Sequence, residues 1–302
     1  MAMEMMTRMR ANWLLVACAA VWGVAFYFQK RAMEHIGPLL FIVARSVLAM
    51  AVLAPLAWRE WRAERSGRPQ TRLLKMSGLA GLAFFGGALF QQAGIVTASV
   101  TNSGFLTSLY VVITPFVAWA VHGRRPGFWV WPAVGLSMVG TWLLGGGTLA
   151  LFTWGDWLVA ISAVFWAVYV VVVGLGSSEG KPSAFTALQF VVVAVLGLVG
   201  VGLREEVDGA ALWRALPDLL FVGVLSSALM FTLFAAAMKA TRATETAIIV
   251  STESLFAALA AWWWLDERLP PLGWLGAMLL VAATLVVQLP WWSKPGKGRG
   301  AQ

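Results

Sequence analysis

Ten stretches of this chain are apolar along most of their length, with short polar connections between them. They cover residues 13–28, 38–58, 73–96, 103–122, 128–145, 154–175, 183–203, 219–238, 246–265 and 272–289. Each approaches the ~20 residues that a helix needs to cross a hydrocarbon core ~30 Å thick. In lipid, an open chain satisfies its own backbone hydrogen bonds only as helix. A closed barrel would alternate polar and apolar positions, and runs such as Val164 to Val173 do not. The pattern predicts an all-α integral membrane protein with ten transmembrane helices.

The stretch over residues 90–126, FQQAGIVTASVTNSGFLTSLYVVITPFVAWAVHGRRP, organises the rest. Two apolar runs meet there across small polar residues, Pro115 interrupts the second, and Arg124 and Arg125 end it. The same plan returns 143 to 144 residues later, over 234–270. An offset of 144 pairs Asn12, Trp13 and Leu14 with Asp156, Trp157 and Leu158, and Trp22 with Trp166. An offset of 143 pairs Trp119, Arg125 and Trp131 with Trp262, Arg268 and Trp274. Each half then holds five spans, in units over 12–147 and 154–289. Five is odd, so the second half enters the membrane in the opposite sense. Inverted repeats of this kind are common in secondary transporters, with the substrate near the midplane where the repeats meet.

Charge supplies an orientation. Cytoplasmic loops accumulate Lys and Arg. With the N-terminus inside, sixteen of the 22 basic residues fall on the inner side. Lys30, Arg31, Arg204, Arg214 and Arg268 fall outside, and Arg45 lies within a span. This skew places both termini in the cytoplasm and identifies the net charge of +8 as an orientation signal rather than a nucleic-acid footprint. The tail over 293–302, rich in Gly and Lys, is expected to be disordered. Composition agrees, at 60% hydrophobic and 12% charged, against about 25% charged in soluble domains. Cys18 is the only cysteine, so no disulfide forms within the chain. The apolar segment before Cys18 is shorter than the ~7–15 residues of a signal core, so the first run is read as a retained helix.

Few polar groups lie deep in these spans, and such groups mark pathways or pairs. Arg45 sits about 10 Å along the second helix and Glu253 about 12 Å into the ninth, at ~1.5 Å per residue. Glu253 is the only carboxylate expected well inside a span, and an offset of 143 places Tyr110 opposite it. Two roles fit Glu253: lining a cavity to take a proton or a substrate amine, or standing protonated and bonded to a neighbouring helix. Arg45 either pairs with Glu253, accepts a substrate carboxylate, or snorkels to the outer surface. Trp22 and Trp166 fall near helix centres, whereas Trp13, Trp58, Trp61, Trp129, Trp157, Trp291 and Trp292 fall near span ends, as interfacial anchors do. The two central rings either stack on a substrate or fill space between helices, and Tyr27 and Tyr169 are weaker cases. Gln91, Gln92 and Gln189 offer amides to neighbouring helices or to a zwitterionic ligand. Asn102, Ser103, Thr107, Ser108 and Thr114 make one helix polar along its length, for close packing or for a water-lined face. Pro115 is expected to bend that helix.

The chain has no phosphate-binding P-loop, no cluster of nucleophile, base and acid, and His35 and His122 stand at opposite sides. Neither an enzyme, a cofactor nor a metal is expected. FLTSLYVVITPFVAWAVHGRRP over 105–126, and 260–280 with Asp266, Glu267, Arg268, Gly273 and Gly276, resemble the two signatures of EamA-type transporters in the drug/metabolite transporter superfamily. Arg45, seven residues after Pro38, matches that family's second-helix arginine. The resemblance implies ten helices, an inverted repeat, a central cavity and export of small metabolites, with greatest similarity to amino-acid exporters of the YddG kind. One departure is Ser254, where the family often has proline, which puts a bend at Glu253 in doubt. The reading is a secondary transporter of the inner membrane that exports amino acids, aromatic ones included, by alternating access. The alternative is proton-coupled efflux of amphiphilic organic cations. Candidate binding residues are Trp22, Gln91, Gln92, Tyr110, Trp166, Tyr169 and Glu253, with Arg45 and Glu253 as ion-pair or proton candidates. The expected partners are a small-molecule substrate and membrane lipid, not nucleic acid.

Overall fold

The computed structural model describes residues 7–63, 70–123, 125–128, 130–144, 147, 153–268 and 271–288. The tail over 293–302, with Arg65, Arg68, Arg124, Trp129, Trp291 and Trp292, lies outside the described residues. The described chain is helical, with no strand. In order it forms α1 (Arg8–Ala32), α2 (Pro38–Arg62), α3 (Thr71–Ile95), α4 (Val100–Thr107), α5 (Tyr110–His122), α6 (Val130–Leu144) and α7 (Trp154–Gly176). Then follow α8 (Pro182–Arg204), α9 (Gly209–Leu220), a π-helical stretch (Phe221–Met230), α10 (Phe231–Ala237), α11 (Ala243–Val250), α12 (Glu253–Leu265) and α13 (Pro271–Gln288).

Among the described residues eight helical rods are long and apolar enough to cross a bilayer. α6 and α13 are apolar but shorter, so length alone does not show ten spans. Four of the eight rods are composite: Val100–His122, Gly209–Ala237, Ala243–Leu265 and Trp154–Glu179, the last by a closing 3-10 turn over Ser177–Glu179. The Gly209–Ala237 rod begins ten residues before the apolar run that predicts it. Its first turns carry Arg214, Pro217 and Asp218, which read as loop in sequence, yet Ala211, Ala215, Asp218 and Leu219 form one buried helical face.

Helix ends are satisfied across elements, and this fixes how they run. The Glu60 carboxylate, at the end of α2, accepts the first backbone N–H groups of α8, from Ser183 at 3.3 Å and Ala184 at 2.8 Å. Glu205, just past α8, accepts those of α2, from Leu39 at 2.9 Å and Leu40 at 2.8 Å. Each helix therefore ends where the other begins, and α2 and α8 are antiparallel. Both open on proline, Pro38 and Pro182, whose missing N–H costs nothing in a first turn. The Lys30 ammonium donates to the Ile95, Val96 and Ala98 carbonyls at 2.8, 3.0 and 3.0 Å, closing the C-terminal end of α3. Arg31 pairs with buried Asp218 at 2.6 Å. These two cations thus fasten helix ends, whereas the charge count had placed them in an outer loop.

α2 lies along α8, α3 along α7 and α6 along α13, while α1 packs on the Gly209–Ala237 rod and α12. Glycine permits the closest of these approaches. A Cβ at Gly23 of α1 would stand 2.8 Å from the Ala257 nitrogen of α12. One at Gly104 of α4 would stand 2.7 Å from the Ala257 Cβ. Both contacts bring backbone against the turn that carries Glu253.

Candidate functional site

Two helix breaks build the centre of the molecule. α4 gives way to α5 at Ser108 and Leu109, and α11 gives way to α12 at Ser251 and Thr252. At each break the backbone tightens to i→i−3 bonds, Val111 to Ser108 at 3.0 Å and Leu255 to Thr252 at 3.0 Å. Hydroxyl side chains stand at both breaks and compete for carbonyls of the preceding turn. Ser108 Oγ donates to the Gly104 carbonyl at 3.0 Å, and Ser251 and Thr252 donate to Ile248 and Ile249 at 2.8 and 2.7 Å. Proline is not the hinge. Pro115 lies inside α5, and the break precedes it by a full turn or more. Ser254 in place of proline does not prevent the break before Glu253. The two breaks touch, since Ser108 Oγ also reaches the Ser251 carbonyl at 3.3 Å.

The first residues after the breaks are Tyr110 and Glu253. Both are buried, and they interact with each other, though the Tyr110 hydroxyl makes no well-formed hydrogen bond. They open onto a cavity of about 60 Å³, room for about four waters at ~10–15 Å³ of accessible space each. Trp22, Phe26 and Gln29 line it from one face of α1, Arg45 from α2, Gln91 from α3 and Thr107 from α4. Trp166, Tyr169 and Val170 come from α7, Ser226 from the π-helical stretch, Phe231 and Phe234 from α10, and Val250 from α11. Of the residues singled out in sequence, Trp22, Arg45, Gln91, Tyr110, Trp166, Tyr169 and Glu253 meet here. Gln92 does not line the cavity; its amide bonds the Gln29 side chain behind the wall. Tyr27 stacks on Trp264 at 5.0 Å, away from the cavity.

Arg45 is 3% exposed, so it does not snorkel. Its Nε donates to Ser227 Oγ at 3.0 Å, and its guanidinium stands 5.4 Å from the Phe84 ring centroid. No described carboxylate pairs with it. Glu253 likewise has no cation among the described residues, so the two charges share a cavity without forming an ion pair. The other buried acids differ. Asp156 caps α7 with Thr153, Asp218 holds Arg31, and Glu245 holds Arg8 at 3.0 Å. Asp218 lies ten residues into the Gly209–Ala237 rod, so the expectation that Glu253 is the only carboxylate well inside a span is corrected. What sets Glu253 apart among these acids is that it has neither an ion-pair partner nor a helix-capping bond among the described residues.

The π-helical turn serves this site. It turns the Ser226 carbonyl toward the Trp22 indole N–H, at 3.1 Å, and Ser227 toward Arg45. Trp22 packs on Phe231 at 4.5 Å, and Phe84 meets Trp166 edge-on at 5.2 Å. The Trp166 indole N–H is buried with no hydrogen-bond partner. An unpaired buried donor is costly, and this one belongs to a cavity wall. Together the walls offer an arginine, a carboxyl group, the unpaired indole N–H of Trp166 and aromatic faces. Among the described residues no three His, Cys, Asp or Glu side chains are placed to hold a metal.

A family model described as the EamA-like transporter family matches residues 9–146 and again 153–289. The chain belongs to the EamA-like transporter family. It is a multi-pass membrane protein of transporter type. An uncharacterized transporter of Archaeoglobus fulgidus is 26% identical over 95% of this chain and 88% of its own. The uncharacterized transporter YwfM of Bacillus subtilis is 24% identical over 90% and 92%. An S-adenosylmethionine/S-adenosylhomocysteine transporter of Chlamydia trachomatis is 25% identical over 86% and 84%. One crystal structure superposes with a TM-score of 0.72 over 93% of this chain and 97% of its own, at 17% identity, which speaks to the fold alone.

Several wall residues of this EamA-like transporter escape a sequence reading. Gln29 follows Trp22 and Phe26 at i+7 and i+3, so all three share a helix face. That spacing is a usable signal. Ser226 carries none, because it lies in the π-helical stretch, and Phe231 and Phe234 follow that stretch in α10, so their face cannot be extrapolated from α9 with a 3.6-residue period.

Proposed function

We propose that this EamA-like transporter exports zwitterionic metabolites, amino acids with aromatic or large apolar side chains among them, by alternating access. The observation that carries the reading is the shared cavity of Arg45 and Glu253, an arginine and a carboxyl group with no ion-pair partner among the described residues. A substrate carboxylate faces Arg45 and the free indole N–H of Trp166. A substrate ammonium faces Glu253. The side chain lies among Trp22, Phe231 and Phe234. In the same proposal the helices form ten spans in two inverted units, 12–147 and 154–289, with both termini cytoplasmic and the protein in the inner membrane. The antiparallel course of α2 and α8 supports inversion, because these helices occupy the same place in each unit.

A second reading, efflux of amphiphilic cations, draws on Glu253 and the two tryptophans. Arg45 in the same wall weighs against it, since a like charge repels such a cargo. The test is purified protein in liposomes with labelled amino acids, S-adenosylmethionine and organic cations, with and without a pH gradient. Movement of zwitterions alone supports the first reading. Proton-linked movement of cations alone replaces it with the second.

A further inference from the structure

Away from the central cavity, α2 and α8 border an open hollow of about 270 Å³ on the outer surface of the molecule. Ala54, Ala57, Trp58 and Trp61 form one wall, and Ala187 and Leu188 stand on the other. Every side chain lining it is apolar. Alanines on both helices make the hollow, because two methyl groups facing each other leave unfilled space. The end near the close of α2 is cationic. Arg59 and Arg62 are exposed and each follows one residue after a wall tryptophan. The Arg62 guanidinium stands 4.5 Å from the Trp58 ring centroid, and the Lys181 ammonium, from the connection into α8, stands 6.0 Å from that of Trp61. The nearby acid, Glu60, is turned toward the backbone of Ser183 and Ala184.

We propose that this hollow is a binding site for an anionic phospholipid of the cytoplasmic leaflet. One acyl chain lies against the alanines, Trp58 and Trp61 mark the interface, and the headgroup phosphate meets Arg59, Arg62 and Lys181. The order of chemistry along the hollow, apolar, then aromatic, then cationic, repeats the order through one leaflet of a bilayer. A soluble anion would satisfy the cations and leave the hollow empty. The orientation proposed above puts this end on the cytoplasmic side, where anionic lipids concentrate.

The test is native mass spectrometry of the full chain, exchanged into mixed micelles with phosphatidylglycerol or phosphatidylcholine of identical chains. Wild type is expected to retain one phosphatidylglycerol in preference to phosphatidylcholine. Each basic residue near a membrane surface is worth about fivefold in this preference. The R59Q/R62Q/K181Q variant should therefore lose it. Ala187→Phe, which fills the hollow, should lose the retained lipid whatever its headgroup, and Ala57→Leu repeats the test if the first variant fails a circular-dichroism check of helix content. Equal retention of the two lipids by wild type overturns the proposal. So does undiminished retention in the filled variants, or a dimer that forms in place of the lipid complex. The measurement reads lipid rather than transport, so its failure leaves the transport reading standing.

Discussion

Replacing Glu253 by glutamine removes one charge and keeps the size of the side chain. The carboxylate is 5% exposed, opens on the central cavity and has no cation among the described residues. Its removal therefore breaks no ion pair within the protein, and the first half-turn of α12 keeps its shape. If Glu253 receives a substrate ammonium, the lost contact is a hydrogen bond between charged groups, worth about 1.5–3 kcal/mol. At ~1.4 kcal/mol per factor of ten, affinity for an amino acid should fall on the order of ten- to a hundredfold. The same amino acid without its amino group still offers a carboxylate and a side chain, and its affinity should change by less than about threefold. Equilibrium binding of both labelled compounds to purified protein measures the two ratios. The pH dependence has a definite sign. A proton taken up by Glu253 removes the countercharge, so amino-acid binding by wild type should weaken as pH falls, and the glutamine variant should lose that dependence. Equal weakening of both ligands, or of neither, would refute the assignment of the ammonium to Glu253.

Arg45→Gln should give the mirror result in the same assay, a loss of about ten- to a hundredfold for the amino acid and little change for the amine that lacks its carboxylate. Gly23→Ala should lower thermal stability by about 1–3 kcal/mol, the usual cost of overpacking, because its methyl group would press on the backbone of Glu253 and Ala257; a melting curve in detergent checks this. Glu60→Ala and Glu205→Ala should each cost about 0.5–2 kcal/mol, as lost helix caps do. Their effects should be similar in size because each carboxylate serves two backbone donors at the start of the partner helix.

The membrane class and the central residues were legible because burial in lipid leaves a strong mark: long apolar runs, and polar residues conspicuous inside them. Trp22, Arg45, Gln91, Tyr110, Trp166, Tyr169 and Glu253 stood out for that reason, and they meet at one cavity. The breaks were less legible. Pro115 drew attention as a bend in its helix, and the breaks themselves lie at Ser108 and Ser251, where hydroxyls take carbonyls from the turn before. Serine occurs in too many straight helices for this to be read from sequence. The early start of the Gly209–Ala237 rod was hidden for a different reason. Asp218 looks like a loop residue until Arg31, 187 residues away in sequence, is found beside it.

The two halves divide scaffold from chemistry. At an offset of 144, Trp22 aligns with Trp166, and both rings line the cavity. At the same offset Arg45 aligns with Gln189, and at 143 Tyr110 aligns with Glu253. In each of these last two pairs one partner is charged and the other is neutral. Gln189 is spent on the Tyr169 hydroxyl, which donates to it at 3.2 Å. Tyr110 stands beside Glu253 and interacts with it. The shared positions thus supply matching helix breaks and matching aromatic walls, which a two-fold arrangement provides at no extra length. Divergence at two positions then gives the cavity a cation from the first half and an anion from the second. Two identical halves would present like charges twice and repel a zwitterion at one end. In the proposed function the site holds both ends of such a molecule because the halves differ at Arg45 and Glu253 and agree at Trp22 and Trp166.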